Sequence, residues 1–396
     1  MASPVTARII PDDVAAARKL VQTTDFFALS YLMLCNLAYA KEDNGQQAVQ
    51  QIMQLLPNLP VPQGTVKGQW SLSWGPQVTN DNSNLMYGAE FSDSASGLPV
   101  FAAVVIRGTD TEAKPSGVLT QLIEDLDAAD QVPFPADQPA SKIAQGTKLG
   151  LDVLTKFSDP AKGTVDRYVN DFVQRNPATP VVVTGHSLGG CQTTVMALFL
   201  SEKLPAGTSI VPNSFAAPTA GNPDFIQLYE RTFPFCPRWF NPMDLVPMAF
   251  AGLDGIKQLW DQCRRPAPEA VKIAIDVLEG LLKIHGAQYA QQSAGNSRML
   301  ASQCQPPTAL MATTVPMDQI VAEIQASFRG LTAKAPVPIP NLSLHVDTFG
   351  GLVDWVKELL FQHLILTGYW NAVAASPGVA QIRNPFVQAA GAGGNR

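Results

Sequence analysis

Apolar residues along this chain fall into two alternating patterns. Leu85 to Phe91 and Val100 to Ile106 are dense in β-branched and aromatic residues, and the turn-rich Ser92 to Leu98 joins them. They read as adjacent strands. Val165, Tyr168, Val169, Phe172 and Val173 recur at helical spacing and lead into the apolar run Val181-Val182-Val183-Thr184. Cys191, Val195 and Leu198 then mark one face of a second helix. Ile210 to Ala217 and Arg238 to Asn241 are further strand candidates, with a helix over Asn222 to Arg231 between them. Asn222 is placed as its cap and Pro223 as its opening residue, which leaves Asp224 in the first turn. Strands alternating with helices predict an α/β fold: a mostly parallel, doubly wound sheet flanked by helices. Reactive groups then gather beyond the carboxyl ends of the strands.

Two stretches depart from this rhythm. Phe26 to Ala40 is apolar but broken by Ser30 and Asn36, and too short to span a bilayer, which takes about 20 apolar residues. It reads as a buried helix capped by Thr24 or Asp25. Residues 251–331 read as largely helical, with Val271, Ala274, Ile275, Leu278, Leu281 and Leu282 on one apolar face. Lys272, Asp276, Glu279 and Lys283 lie opposite, spaced for two i,i+4 ion pairs. The expected organisation is a core of residues 1–250 and 332–396 with a helical insertion at 251–331. That insertion either caps the site or covers the sheet edge. Prolines cluster at Pro57 to Pro62, Pro133 to Pro139 and Pro336 to Pro340, which read as loops. Gln388 to Arg396 reads as a frayed end.

Composition narrows the classes. With 27 Lys+Arg against 33 Asp+Glu, the net charge is -6, and no basic cluster marks a nucleic-acid surface. Hydrophobic residues make up 46% of the chain and charged residues only 15%, which suits a large core and contact with apolar substrate. Met1 to Leu20 lacks the basic and apolar regions of a leader peptide, so the expectation is a cytoplasmic protein or one exported by another route. The five cysteines, Cys35, Cys191, Cys236, Cys263 and Cys304, form no C-x-x-C pair, so no metal site is expected. They read as buried free thiols, with a Cys236–Cys263 disulfide the alternative.

The chemistry centres on Gly185-His186-Ser187-Leu188-Gly189-Gly190, which follows the apolar run Val181 to Thr184 and opens the next helix. A strand, a glycine-bracketed serine and a helix form the nucleophile elbow of α/β hydrolases. The turn is tight, so the positions two residues either side of the serine must lack side chains. Ser187 needs a base, and the base needs a carboxylate; in this fold their order is Ser, acid, His. His186 lies on the elbow, with its side chain expected to point into packing. His363, His345 and His285 remain as bases, with His363 preferred for its late position. Asp244 is the preferred acid because it follows the strand-like Arg238 to Asn241; Asp224 and Asp261 compete. An oxyanion needs two donors. Leu188 N–H is one, and Thr109, after the strand Val104 to Ile106, is the other. Arg107 reads as structural, in an ion pair. Val118 to Leu126 carries a helical apolar stripe, with Thr111 to Leu119 read as a lid and Ile123 to Leu126 as core.

These residues resemble the class 3 lipases, the filamentous-fungal triacylglycerol lipases and their relatives. Val105-Ile106-Arg107-Gly108-Thr109 is similar to the family's oxyanion strand and loop, and Ile123 to Leu126 to the segment after it. Val181 through Gly190 is similar to its elbow. Phe215-Ala216-Ala217-Pro218 with Gly221, Asn222 and Phe225 is similar to another family stretch, although Ala216 stands where glycine is usual. Asn241 through Pro247 resembles the motif holding the family's triad aspartate, and His363 with Tyr369 and Trp370 after it resembles the histidine region. The resemblance implies Ser187, Asp244 and His363 as a catalytic triad, with Thr109 and Leu188 as oxyanion donors. It implies a serine carboxylic ester hydrolase acting on acylglycerols, with transient contact at a lipid surface and with neither cofactor nor metal. The rivals are a phospholipase or polyester esterase with the same triad, an acyltransferase, and a non-catalytic lipid-binding protein. The segments Thr109 to Glu124 and Asp244 to His363 look longer than the family's.

Overall fold

The computed structural model describes residues 10–39, 45–64, 66–108, 128–304 and 351–386. Seven strands form its central sheet: β1 (Gly68–Val78), β2 (Leu85–Asp93), β3 (Pro99–Ile106), β4 (Val181–His186), β5 (Ile210–Phe215), β6 (Arg238–Phe240) and β7 (Ser297–Met299), in that spatial order. β1, β2 and β3 pair antiparallel, and β3 through β7 run parallel. The expected α/β-hydrolase architecture, a mainly parallel sheet between helices, is what the chain adopts.

Every residue of β3, β4 and β5 is buried, because helices cover both sheet faces. Alternation then sorts the side chains into two cores. Ala103, Val105 and Val182 face α1 (Asp12–Thr23) and α2 (Ala28–Leu37). Ala102, Val104, Ile106, Val181 and Val183 face α3 (Val165–Arg175), α4 (Leu188–Lys203) and α5 (Pro223–Thr232). α2 is apolar all round and buried accordingly, but its cap differs from expectation. Phe27 precedes it without a side-chain cap, the Ala28 N–H donates to the Asp25 carbonyl, and the Asp25 carboxylate takes Arg298 at 2.6 Å. On α5 the Asn222 side chain accepts from the Phe225 N–H at 2.9 Å, ahead of Pro223.

A third cluster lies over residues 243–304. α6 (Glu269–His285) buries Val271, Ala274, Ile275 and Leu278 in one apolar cluster with Trp355, Val356 and Leu359 of α7 (Leu352–His363). Its carboxylates Asp276 and Glu279 turn to Lys257, at 2.6 and 3.4 Å, where i,i+4 pairs along the helix were expected. The expected helical insertion at 251–331 is not purely helical. Its strand β7 pairs with β6 and extends the sheet, so position 251 does not separate core from insertion. Cys263 is joined to Cys304, not to Cys236, which stays buried and free beside Gln292. The segments 109–127 and 305–350, with the lid reading, Thr109 and His345, lie outside the described residues.

The strand-to-helix junction depends on missing side chains. A Cβ at Gly189 would stand 2.3 Å from the Ile106 carbonyl oxygen, and one at Gly185 would stand 2.2 Å from the Gly189 carbonyl oxygen. Backbone on both sides leaves nothing to give. Gly189→Ala is expected to destabilise the fold by about 3 kcal/mol or more. Gly280→Ala, inside α6 with open space at its Cβ, is expected to stabilise by about 0.5–1 kcal/mol. Urea unfolding midpoints of the two variants should move in opposite directions.

Candidate active site

Ser187 stands between β4 and α4 with φ 59° and ψ −129°, a left-handed backbone that costs an L-residue energy. Its surroundings hold it there. The Ser187 N–H donates to the Phe215 carbonyl at 2.9 Å, and the Ser187 carbonyl accepts from Gly190 at 2.9 Å and Cys191 at 3.1 Å. Parallel pairing of His186 with Phe215 sets β5 beside the turn. Leu188 is the first residue of α4, so its N–H has no carbonyl one turn back within the helix.

Two separate stretches bring partners to Ser187. His363 is the last residue of α7, and its Nε2 lies 2.9 Å from Ser187 Oγ. Its Nδ1 lies 2.8 Å from Asp244 Oδ2. Asp244 follows β6, and its other oxygen, Oδ1, accepts from the Val246 N–H at 3.0 Å. Tyr369 OH also donates to Asp244 Oδ2 at 2.8 Å and accepts from the Asn241 N–H at 3.2 Å. An ionised carboxylate only accepts, so Nδ1 carries the proton and Nε2 is the acceptor facing the serine hydroxyl. A hydroxyl, an imidazole acceptor and a buried carboxylate in this order can activate the alcohol by general-base catalysis.

Tyr369 reaches Asp244 because the chain after α7 closes in a wide turn of π-helical bonding, Ile365–Tyr369. A Cβ at Gly368 would stand 2.0 Å from the Gln362 carbonyl oxygen, so only glycine permits this closure. Burial, and then the neighbouring Asp244 charge, raise the Tyr369 phenol well above its usual range, so it remains a donor. Arg238 holds the loop from the other side, donating to the Ala217 and Pro247 carbonyls at 2.9 and 2.6 Å.

The remaining candidates lie elsewhere or outside the described residues. His285 Nδ1 pairs with Asp130 at 2.8 Å at the surface. Asp224 is in the first turn of α5 and Asp261 in a short 3-10 turn. Arg107 donates to the carbonyl and the side-chain oxygen of Asn82. Thr109 follows Gly108, whose N–H donates to Tyr39 OH at 3.1 Å. Tyr39 and the Tyr369–Asp244 bond were not read as site features from sequence. Pairing across 125 residues leaves no local pattern; the one clue was a tyrosine shortly after His363.

His186 points away from the serine hydroxyl, into packing. There its Nε2 donates to the His363 main-chain carbonyl at 2.9 Å, while Nδ1 faces Tyr39 OH at 3.3 Å. Burial, and then the nearby His363, lower the His186 pKa well below its usual value. A depressed folded-state value means that the folded protein resists a proton which the unfolded chain accepts below about pH 6.5. This part of the stability is present above that pH and lost as pH falls below it. The loss is limited to about 1.4 kcal/mol per pH unit, the value for one proton. In urea unfolding, His186→Gln is expected to show a smaller stability difference between about pH 7.5 and pH 5 than the wild type.

Comparison with known proteins shows what this chain is similar to. Residues 103–253 match the model of the class 3 lipases. Lipases of Rhizopus niveus and Rhizopus oryzae are each 31% identical over 117 residues, covering 24% of this chain and 30% of those proteins. The chain thus spans under a third of the length of the curated relatives it matches. A solved structure, that of M37 lipase, overlays with a TM-score of 0.58 at 19% identity, covering 90% of this chain and 96% of the other. That likeness extends the shared fold well beyond residues 103–253. Over residues 103–253, the chain is similar to the class 3 lipases.

Proposed function

We propose that this protein hydrolyses carboxylic esters through an acyl-enzyme on Ser187, with acylglycerols as its substrate class. The observation that carries the reading is the unbroken chain Ser187–His363–Asp244, with links of 2.9 and 2.8 Å, at a strained turn. The acylglycerol assignment is supported by the match of residues 103–253 to the class 3 lipases and by the Rhizopus lipases this segment resembles.

The chemistry follows from these atoms. Ser187 Oγ attacks the ester carbonyl carbon as its proton passes to His363 Nε2. Asp244, accepting from Nδ1–H, stabilises the imidazolium that forms and stays ionised. Leu188 N–H, at the head of α4, and Thr109 N–H are assigned to the oxyanion. Collapse of the tetrahedral adduct breaks the bond to the alcohol, which leaves with the proton from Nε2. Water then attacks the acyl carbonyl and gives its proton to His363. When the acyl bond to Ser187 breaks, that proton returns to Oγ and the carboxylic acid departs.

Ser187→Ala tests the reading most directly. Its turnover of p-nitrophenyl esters and of triacylglycerol emulsions should fall to background, and turnover at the wild-type rate would end the reading. Asp244→Asn should lose about 10⁴ in kcat, because the imidazole then takes the wrong tautomer. Phospholipid vesicles run beside the emulsions separate acylglycerol from phospholipid hydrolysis.

A further inference from the structure

Helix α7 brings more than His363 to the site. Glu358 and Gln362 lie one turn apart on it, and both are buried. Gln362 Nε2 donates to Glu358 Oε1 at 2.7 Å and to the Gln303 carbonyl at 3.1 Å. Gln362 Oε1 and its main-chain carbonyl accept from Asn241 Nδ2 at 2.8 and 3.0 Å. The other Glu358 oxygen, Oε2, takes Arg265 Nη1 at 2.7 Å. Asn241 in turn donates its N–H to Tyr369 OH, which donates to Asp244. One polar chain therefore runs from the Arg265 guanidinium to the Asp244 carboxylate, and Gln362 in it is the residue next to His363.

The two outer anchors are themselves tied together. Arg265 lies two residues after Cys263, and Gln303 lies one residue before Cys304. These cysteines form the disulfide. A single covalent bond thus limits how far apart the two groups gripping the end of α7 can move. Around this chain the packing is apolar, with Trp355, Leu359 and Leu360 on the same helix. Well-packed apolar residues would hold the helix about as well as a buried carboxylate and amide. Hydrogen bonds add direction, which fixes the axial and rotational setting of the last turn of α7.

We propose that Gln362 and Glu358 are positioning residues that set where His363 and Asp244 stand, and that the Cys263–Cys304 disulfide is the clasp holding their outer partners. The idea rests on the ester-hydrolase reading for its kinetic arm only. Its second arm is the downfield Nδ1 proton of the His363–Asp244 bond, read by NMR in the resting protein without substrate and assigned by its loss in His363→Gln.

In the full chain, Gln362→Met is expected to lower kcat on a soluble short-chain ester by about tenfold to a hundredfold with KM nearly unchanged, as misplacement of a reacting group does. The downfield proton should shift or broaden. The double variant Cys263→Ala/Cys304→Ala, with the polar chain intact and only the clasp opened, should show the same pattern more weakly. A folded Gln362→Met protein with wild-type kcat and an unmoved proton overturns the proposal. If that variant does not fold, the double cysteine variant decides by the same two readouts. Absence of ester turnover in the wild type would remove the proposed function, while the proton would still decide this inference.

Discussion

Asp244 has no exposure to solvent, and a buried carboxylate is tolerated only when donors surround it. Three converge on it: the Val246 N–H from its own loop, His363 Nδ1 from the end of α7, and Tyr369 OH from the turn beyond. Each comes from a different distance along the chain. Satisfying that one charge therefore fixes the loop after β6, the end of α7 and the π-helical turn relative to one another. The imidazole orientation toward Ser187 is a consequence of that arrangement.

The other half of the site is held by backbone. Ser187 sits at positive φ where α4 packs so closely on β4 and on the end of β3 that Gly185 and Gly189 have no room for side chains. Parallel pairing with β3 and β5 carries that strain, since the Phe215 carbonyl takes the Ser187 N–H. His186 links the halves: its backbone belongs to the elbow strand while its ring holds the His363 carbonyl. The hydroxyl and the imidazole are thus joined by a neutral hydrogen bond outside the reacting atoms.

The helical layer over residues 251–304 serves both ends of this arrangement. It supplies Arg265 and the Gln303 carbonyl to α7, and its strand β7 lengthens the sheet beside β6. Its apolar face lies in the same hydrophobic cluster as Trp355, Val356 and Leu359 of α7, so this layer and α7 share one core. That sharing is the physical reason a boundary drawn from helical periodicity at 251 does not divide the molecule.

Much was legible in the chain itself because its causes are local. Alternation and helical spacing marked β2, β3, β4, β5 and β6 and the helices α3, α4 and α5 within a few residues, and Asn222-Pro223 marked the start of α5, but the helix Gln145–Leu154 was not picked out. The glycine-bracketed serine marked the elbow, since the steric demand lies within five residues. β1 and β7 were not picked out, because edge strands lack a continuous apolar run. Three histidines stayed open as the base, and Cys263 and Cys304 read as free thiols although they are bonded to each other. Sequence determined which residue types could do each job: one serine on a tight turn, a few acids after strands, a few late histidines. Only tertiary structure decided that His363 stands 2.9 Å from Ser187, that Tyr369 serves Asp244, and that Cys304 meets Cys263. Those pairings join points 41 to 176 residues apart, and proximity across such separations is set by how layers pack, which no local pattern encodes.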